Sequence, residues 1–127
     1  MAGKPSDSMR IYHGDCGQIL ETLEPNGFQA IIADPPYFQV LLGESWDNQW
    51  RTEEDYLDWT KDWIIKAARL LKDDGLFFIF GQLGKREHLW LHLCSMATRK
   101  LQFHDMLFGT EPSATTSVTT VSRRVTK

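Results

Sequence analysis

A chain of 127 residues, 42% hydrophobic and 24% charged, has the composition of one globular domain and excludes a disordered or low-complexity polypeptide. The formal net charge of −3 argues against a nucleic-acid binder that works alone, because phosphate binding needs a basic footprint. No apolar run approaches the ~18 residues of a membrane span, the first residues lack a secretory signal, and two cysteines, Cys16 and Cys94, exclude a disulfide framework or a four-cysteine zinc site and point to a reducing, cytoplasmic compartment.

Residues 1–8 read as a flexible leader. Residues 9–13 form a short extended run, broken by Gly14 and Asp15, and Asp15 is placed to cap a helix with Ile19, Leu20 and Leu23 on one side. Pro25-Asn26-Gly27 stops that helix. Phe28–Ala33 is short, apolar and bounded by turn residues, the pattern of a buried parallel strand, and runs into Asp34-Pro35-Pro36-Tyr37. Thr52 and Asp55 have the spacing of a capping box, and the helix they open carries Tyr56, Trp59, Trp63, Ala67 and Leu70 at steps of three and four. Lys72-Asp73-Asp74-Gly75 ends it, and residues 76–80 form a second all-apolar strand. A third helix is expected over 85–98, with Leu89, Leu93 and Met96 toward a core, and a further strand over Leu101–Phe108. Apolar strands alternating with one-striped helices predict a three-layer α/β fold with a largely parallel sheet.

Residues 112–127 depart from this pattern. Eight of the sixteen are Ser or Thr. Arg123, Arg124 and Lys127 stand there without an acid, so residues 1–111 are three charges more acidic than the whole. So little apolar area favours a disordered tail over the other reading, a polar edge strand across 118–125. The chain thus divides into a leader, a domain over 9–111 and a Ser/Thr-rich tail.

Ligands of open α/β sheets gather beyond the carboxyl ends of the strands, where Asp34-Pro35-Pro36-Tyr37 is expected. Two prolines stiffen the loop. Asp34 can accept a hydrogen bond from an amino group, the Pro35 carbonyl can accept a second, and Tyr37 can stack on a planar ring. Together they suit the exocyclic amine of a base. The same residues also fit a rigid strand-to-helix turn in which Asp34 caps and Tyr37 packs.

An apolar strand ending in Asp34-Pro35-Pro36-Tyr37 resembles the DNA amino-methyltransferases, in particular their permuted members, in which the catalytic motif precedes the cofactor motif. His13-Gly14-Asp15 with Leu20 and Leu23, and the segment Ala68-Arg69-Leu70-Leu71-Lys72-Asp73-Asp74-Gly75 leading into Leu76-Phe77-Phe78-Ile79-Phe80-Gly81, extend the resemblance over about residues 10–108. It implies a Rossmann-like methyltransferase fold and transfer of a methyl group from S-adenosylmethionine to adenine N6. Cytosine N4 is the alternative, its enzymes more often having Ser where Asp34 stands. The catalytic residues it implies are Asp34, Pro35, Pro36 and Tyr37, with Asp15 and Asp34 toward the cofactor. The implied partner is double-stranded DNA with a flipped target base.

The resemblance also implies a Phe-x-Gly-x-Gly loop that cradles the methionine part of the donor, and the sequence contains none. With the change of pattern after Phe108, this leads to the expectation of an incomplete catalytic domain: a reading-frame change or truncation, inactive alone, completed by a C-terminal fragment or a homo-oligomer. A non-catalytic interaction domain is the competing reading. Trp46 and Trp50 are candidates to lie over base or donor. His88 and His92 have metal-ligand spacing, but without a third ligand they read as an exposed helix face and no metal is expected. Cys94, Trp59 and Trp63 read as core.

Overall fold

The computed structural model describes residues 9–38, 45, 49–82, 89, 92–95, 101–108 and 116–123. Residues 9–13 form no strand, and Met9 and Ile11 are exposed. This short run, expected as the first strand, pairs with no strand among the described residues. The first element is helix α1 (Cys16–Thr22). The Asp15 carboxylate accepts the Gln18 N–H at 3.1 Å and its carbonyl accepts that of Ile19, so the expected cap is present. The turn at Pro25–Gly27 follows, with Asn26 left-handed at φ 57°.

Strand β1 (Phe28–Ala33) leads through the proline loop and residues 39–52 to helix α2 (Glu53–Leu70). The Thr52 hydroxyl accepts the Asp55 N–H at 3.1 Å, and Glu53, Glu54 and Asp55 complement the helix dipole. The chain passes straight from Leu70 into strand β2 (Leu71–Gln82). Lys72-Asp73-Asp74-Gly75, expected only to end the helix, forms a bulge inside β2: Phe28 pairs with Leu71 and Ala30 with Leu76. Asp74 takes φ 59° there. A Cβ on Gly75 would lie 2.8 Å from the Lys72 carbonyl oxygen and 3.3 Å from that of Gln29, so only glycine fits. Of the expected third helix, residues 89 and 92–95 are helical, and the rest lies outside the described residues. Strands β3 (Leu101–Phe108) and β4 (Thr116–Arg123) are the last described elements.

The four strands lie in the order β1-β2-β4-β3. β1 and β2 are adjacent and parallel, joined through α2 as the sequence predicts. β4 is antiparallel to both β2 and β3. The expectation of a largely parallel sheet is therefore corrected: the sheet is mixed, with one parallel pairing and two antiparallel ones. The cause is β4, which also corrects the disordered tail. This Ser/Thr-rich segment is not an edge strand either, since it is hydrogen-bonded on both sides.

The core lies between one sheet face and α2. Phe77, Ile79 and Val121 from the sheet join Tyr56, Trp63, Ile64 and Ala67 from the helix, with Leu89 and Leu93 beside them. The opposite face is apolar but open among the described residues, with Ile32 72% exposed. β1 thus has the two-sided apolar pattern of a buried strand, but this structure covers one side of it.

One corner is densely tied. The N–H groups of Asn26 and Gly27 donate to the last carbonyls of α2, at Arg69 (3.1 Å) and Leu70 (2.9 Å). The Arg69 guanidinium donates back to the Leu20 and Leu23 carbonyls at the end of α1, both at 2.8 Å. Lys66 bridges Glu21 of α1 (2.9 Å) and Asp62 of α2 (2.8 Å). Those two hydrogen-bonded carboxylates, Asp62 first, raise its pKa above the ordinary lysine value. Arg123 fastens β4 to the same corner by donating to the Leu71 carbonyl at 2.7 Å and to the Asn26 side chain, with Asp73 3.8 Å away.

Candidate active site

The loop Asp34-Pro35-Pro36-Tyr37 leaves the carboxyl end of β1, at the amino-terminal end of α2. Asp34 is exposed, while Pro35, Pro36 and Tyr37 are half-buried. The Tyr37 hydroxyl donates to Asp34 Oδ1 at 3.3 Å. The carboxylate therefore faces solvent beside a phenol, and the ring is held over its own loop. Asp34 caps no described helix. The rigid-turn alternative is met only in part, through the half-burial of Tyr37.

Beneath the loop, Pro35 roofs a small apolar cavity, whose walls include Trp63 and Ile64 of α2, Ile79 of β2, Leu93, and Thr119 of β4. Trp63 is buried, and its indole N–H has no hydrogen-bond partner among the described residues, an arrangement that costs about 1–3 kcal/mol. Cys94 is half-buried, with its sulfur 3.4 Å from the Thr119 hydroxyl. Burial pushes its thiol up, as the core reading requires.

The expected site residues lie on two parts of the fold, the cap of α1 and the loop after β1. A Cβ on Gly17, next but one to Asp15, would lie 3.7 Å from the Lys66 ammonium, so the start of α1 is level with Lys66. The loop is level with Tyr56, near the start of α2. Asp15 Oδ1 serves as the cap of α1. Trp50 is not a lid. It is buried, 4.9 Å ring to ring from Tyr56 and 4.6 Å from Trp59. Trp46 lies outside the described residues, as does His88. His92 is exposed, and no group of three metal-ligating side chains occurs among the described residues.

Sequence reasoning missed one contact. The phenol of Tyr56, read there as core alone, donates to the Pro36 carbonyl at 3.0 Å. The available signal was position: Tyr56 is the first apolar residue of the helix that follows the loop, so its hydroxyl returns to the strand end.

The mixed sheet, with α2, Leu89 and Leu93 packed on one face and an acidic proline loop at a strand end, matches part of the Rossmann-like methyltransferase fold, which carries helices on both faces. It superposes on the PvuII DNA methyltransferase, described as cytosine-N4-specific, with a TM-score of 0.65 and 16% identity over 87% of this chain and 48% of that one. For the Thermus thermophilus protein TTHA0409 the TM-score is 0.60 and the identity 17%, over 90% of this chain and 54% of that one. That protein has also been solved complexed with S-adenosyl-L-methionine. The chain belongs to the N6_N4_Mtase family of DNA methylases, whose sequence profile matches residues 28–125.

The matched residues run through β4. The type II methyltransferase M.BamHI of Bacillus amyloliquefaciens is 30% identical over 109 residues, 82% of this chain and 25% of the relative. M2.MboI of Moraxella bovis is 32% identical over 88 residues, 58% of this chain and 32% of the relative. The chain thus spans a quarter to a third of the length of these relatives. No helix among the described residues is long and apolar enough to cross a membrane.

Proposed function

We propose that the chain is the catalytic-loop portion of a DNA amino-methyltransferase that acts on adenine N6, with S-adenosylmethionine as methyl donor. The observation that carries this reading is the exposed Asp34 carboxylate at the end of β1, beside the Tyr37 hydroxyl at 3.3 Å and followed by two prolines. A carboxylate at neutral pH is an acceptor only, which matches an amino group and no oxygen of a base.

Asp34 accepts one N–H of the target amine and the Pro35 carbonyl accepts the other. Held this way, the nitrogen lone pair is turned out of conjugation with the ring. The donor, when bound, supplies a methyl group on a sulfonium. The nitrogen–carbon bond forms as the sulfur–carbon bond breaks, leaving S-adenosylhomocysteine, and the methylated amine then releases a proton toward Asp34. Tyr37 leaves its own loop to stack on the base, which is extruded because its amine is out of reach in a duplex. Asp15 and Asp34, both exposed carboxylates, suit the amino-bearing adenine and the cationic centre of the donor.

The sequence lacks a Phe-x-Gly-x-Gly loop. Transfer is therefore expected when a complementing fragment supplies that loop, and calorimetry with the chain alone should find donor binding weaker than low micromolar. The cytosine-N4 reading is favoured by one observation, the superposition on the cytosine-N4-specific PvuII enzyme. The test is transfer of tritium from labelled S-adenosylmethionine to duplex DNA by the complemented chain, followed by digestion to nucleosides. N6-methyl-2′-deoxyadenosine is the expected product. N4-methyl-2′-deoxycytidine would replace adenine by cytosine, and no incorporation by a folded, complemented chain would move the interaction-domain reading ahead.

A further inference from the structure

Proline fixes φ but leaves ψ to its surroundings. In Asp34-Pro35-Pro36-Tyr37, Asp34 and Pro35 each precede a proline, which confines both to extended backbone. Pro36 precedes Tyr37 and escapes that restriction. Its ψ is the torsion the loop's own covalent structure leaves loose, and it decides where the Tyr37 ring lies relative to Asp34 and the Pro35 carbonyl. Prolines have no N–H, so the loop has no amide donor at 35 or 36 with which to fix it.

The group that turns with this torsion is the Pro36 carbonyl, and it accepts the Tyr56 hydroxyl at 3.0 Å. Tyr56 is 4% exposed. Its ring lies 5.5 Å from Phe38 and 4.9 Å from Trp50, so the hydroxyl is a fixed point at the start of α2. α2 is itself anchored at its far end by the exchange of hydrogen bonds with the Asn26 turn and α1. We propose that Tyr56 is a positioning residue, whose buried phenol sets the Pro36 torsion and so directs Tyr37 over the target base. The hold on Pro36 stands on the structure alone, and its catalytic consequence rests on the methyltransferase reading above. Tyr56 touches no reacting atom. Its effect passes through Tyr37, so it governs engagement of the base and not of the methyl donor.

The test is Tyr56→Phe in the full chain, which keeps the ring and removes the hydroxyl. With proline carbonyls labelled by carbon-13, the Pro36 signal is expected to shift and the Tyr37 amide to broaden by exchange, while the thermal melt stays within a few degrees of wild type. In the complemented enzyme, KM for DNA should rise about tenfold with KM for S-adenosylmethionine unchanged. Unaltered Pro36 and Tyr37 signals in the folded variant, or equal changes in both KM values, would overturn the proposal. If the variant does not fold, the wild-type Tyr56 hydroxyl proton decides: protection from solvent exchange supports the clamp and free exchange refutes it. If the complemented wild type transfers no methyl, the functional reading falls, and the Pro36 signal still judges the clamp.

Discussion

Asp34 and Tyr37 are three residues apart and joined by one hydrogen bond, so each can be tested against the other. Asp34→Ala removes the carboxylate from an exposed site and should leave the fold intact. Methyl transfer by the complemented enzyme is expected to fall about a hundredfold or more, as when a preorganised polar group is taken from a reacting centre, with a much smaller loss of donor affinity by calorimetry. Tyr37→Phe and Tyr37→Ala separate the two parts of that side chain. The phenylalanine keeps a stacking face and loses only its hold on Asp34, so a loss of a few-fold in kcat is expected. The alanine also loses the stack, worth about 1–3 kcal/mol per base, and should raise KM for DNA by about tenfold or more. Equal effects of the two substitutions would place the role of Tyr37 in its hydroxyl. The motif was legible in the sequence because its chemistry is local: two prolines, an acid and a ring are consecutive. The Tyr56 contact was not, because it joins residues twenty apart and depends on how α2 folds back over the strand end.

At the scale of elements, the caps and stripes were readable for the same reason of locality. Asp15 and Thr52 each satisfy an amide three residues on, a relation printed in the sequence. The bulge at Lys72–Gly75 was not readable, since a left-handed acid followed by glycine serves equally to stop a helix or to kink a strand. Gly75→Ala tests its crowding. A Cβ 2.8 Å from a backbone oxygen cannot be accommodated without moving the strand, so a loss of about 1–3 kcal/mol is expected in a denaturant melt. The α1–α2 joint offers a test by pH. The pKa of Lys66 is raised in the folded protein, so its contribution is fully present below the ordinary value of 10.5 and is lost as pH climbs through the higher folded value. The melting temperature of Lys66→Met should therefore lie below wild type by a constant margin from pH 7 to 10, and the margin should close in more alkaline solution. A margin that closes nearer pH 8 would assign the difference to another group.

At the scale of the whole molecule, β4 is the element that composition misjudged. Counting apolar side chains in 112–127 finds little to offset ordering entropy, and that count ignores the backbone. A strand between two others satisfies its N–H and C=O groups on both sides, and here the neighbours β2 and β3 supply much of the apolar surface. Val121 pairs with Phe77 and Phe103 and is wholly buried, and Thr119 is buried beside the cavity under Pro35. Such a strand owes its place to partners 34 to 46 residues earlier in β2 and 9 to 22 residues earlier in β3, which no local pattern encodes. Its removal should therefore act on the whole sheet. Deleting 112–127 leaves facing edges on β2 and β3 unpaired, strips the cover from Phe77, and takes away Arg123, which joins β4 to the Leu71 carbonyl and the Asn26 turn. The deleted chain is expected to lose its cooperative thermal transition and to bind a hydrophobic dye. Val121→Ala, a milder probe of the same contacts, should cost about 1–2 kcal/mol with cooperativity retained. A sharp, wild-type transition in the deleted chain would show that β1, β2 and the helices fold without β4, and that the tail lies on the domain without holding it.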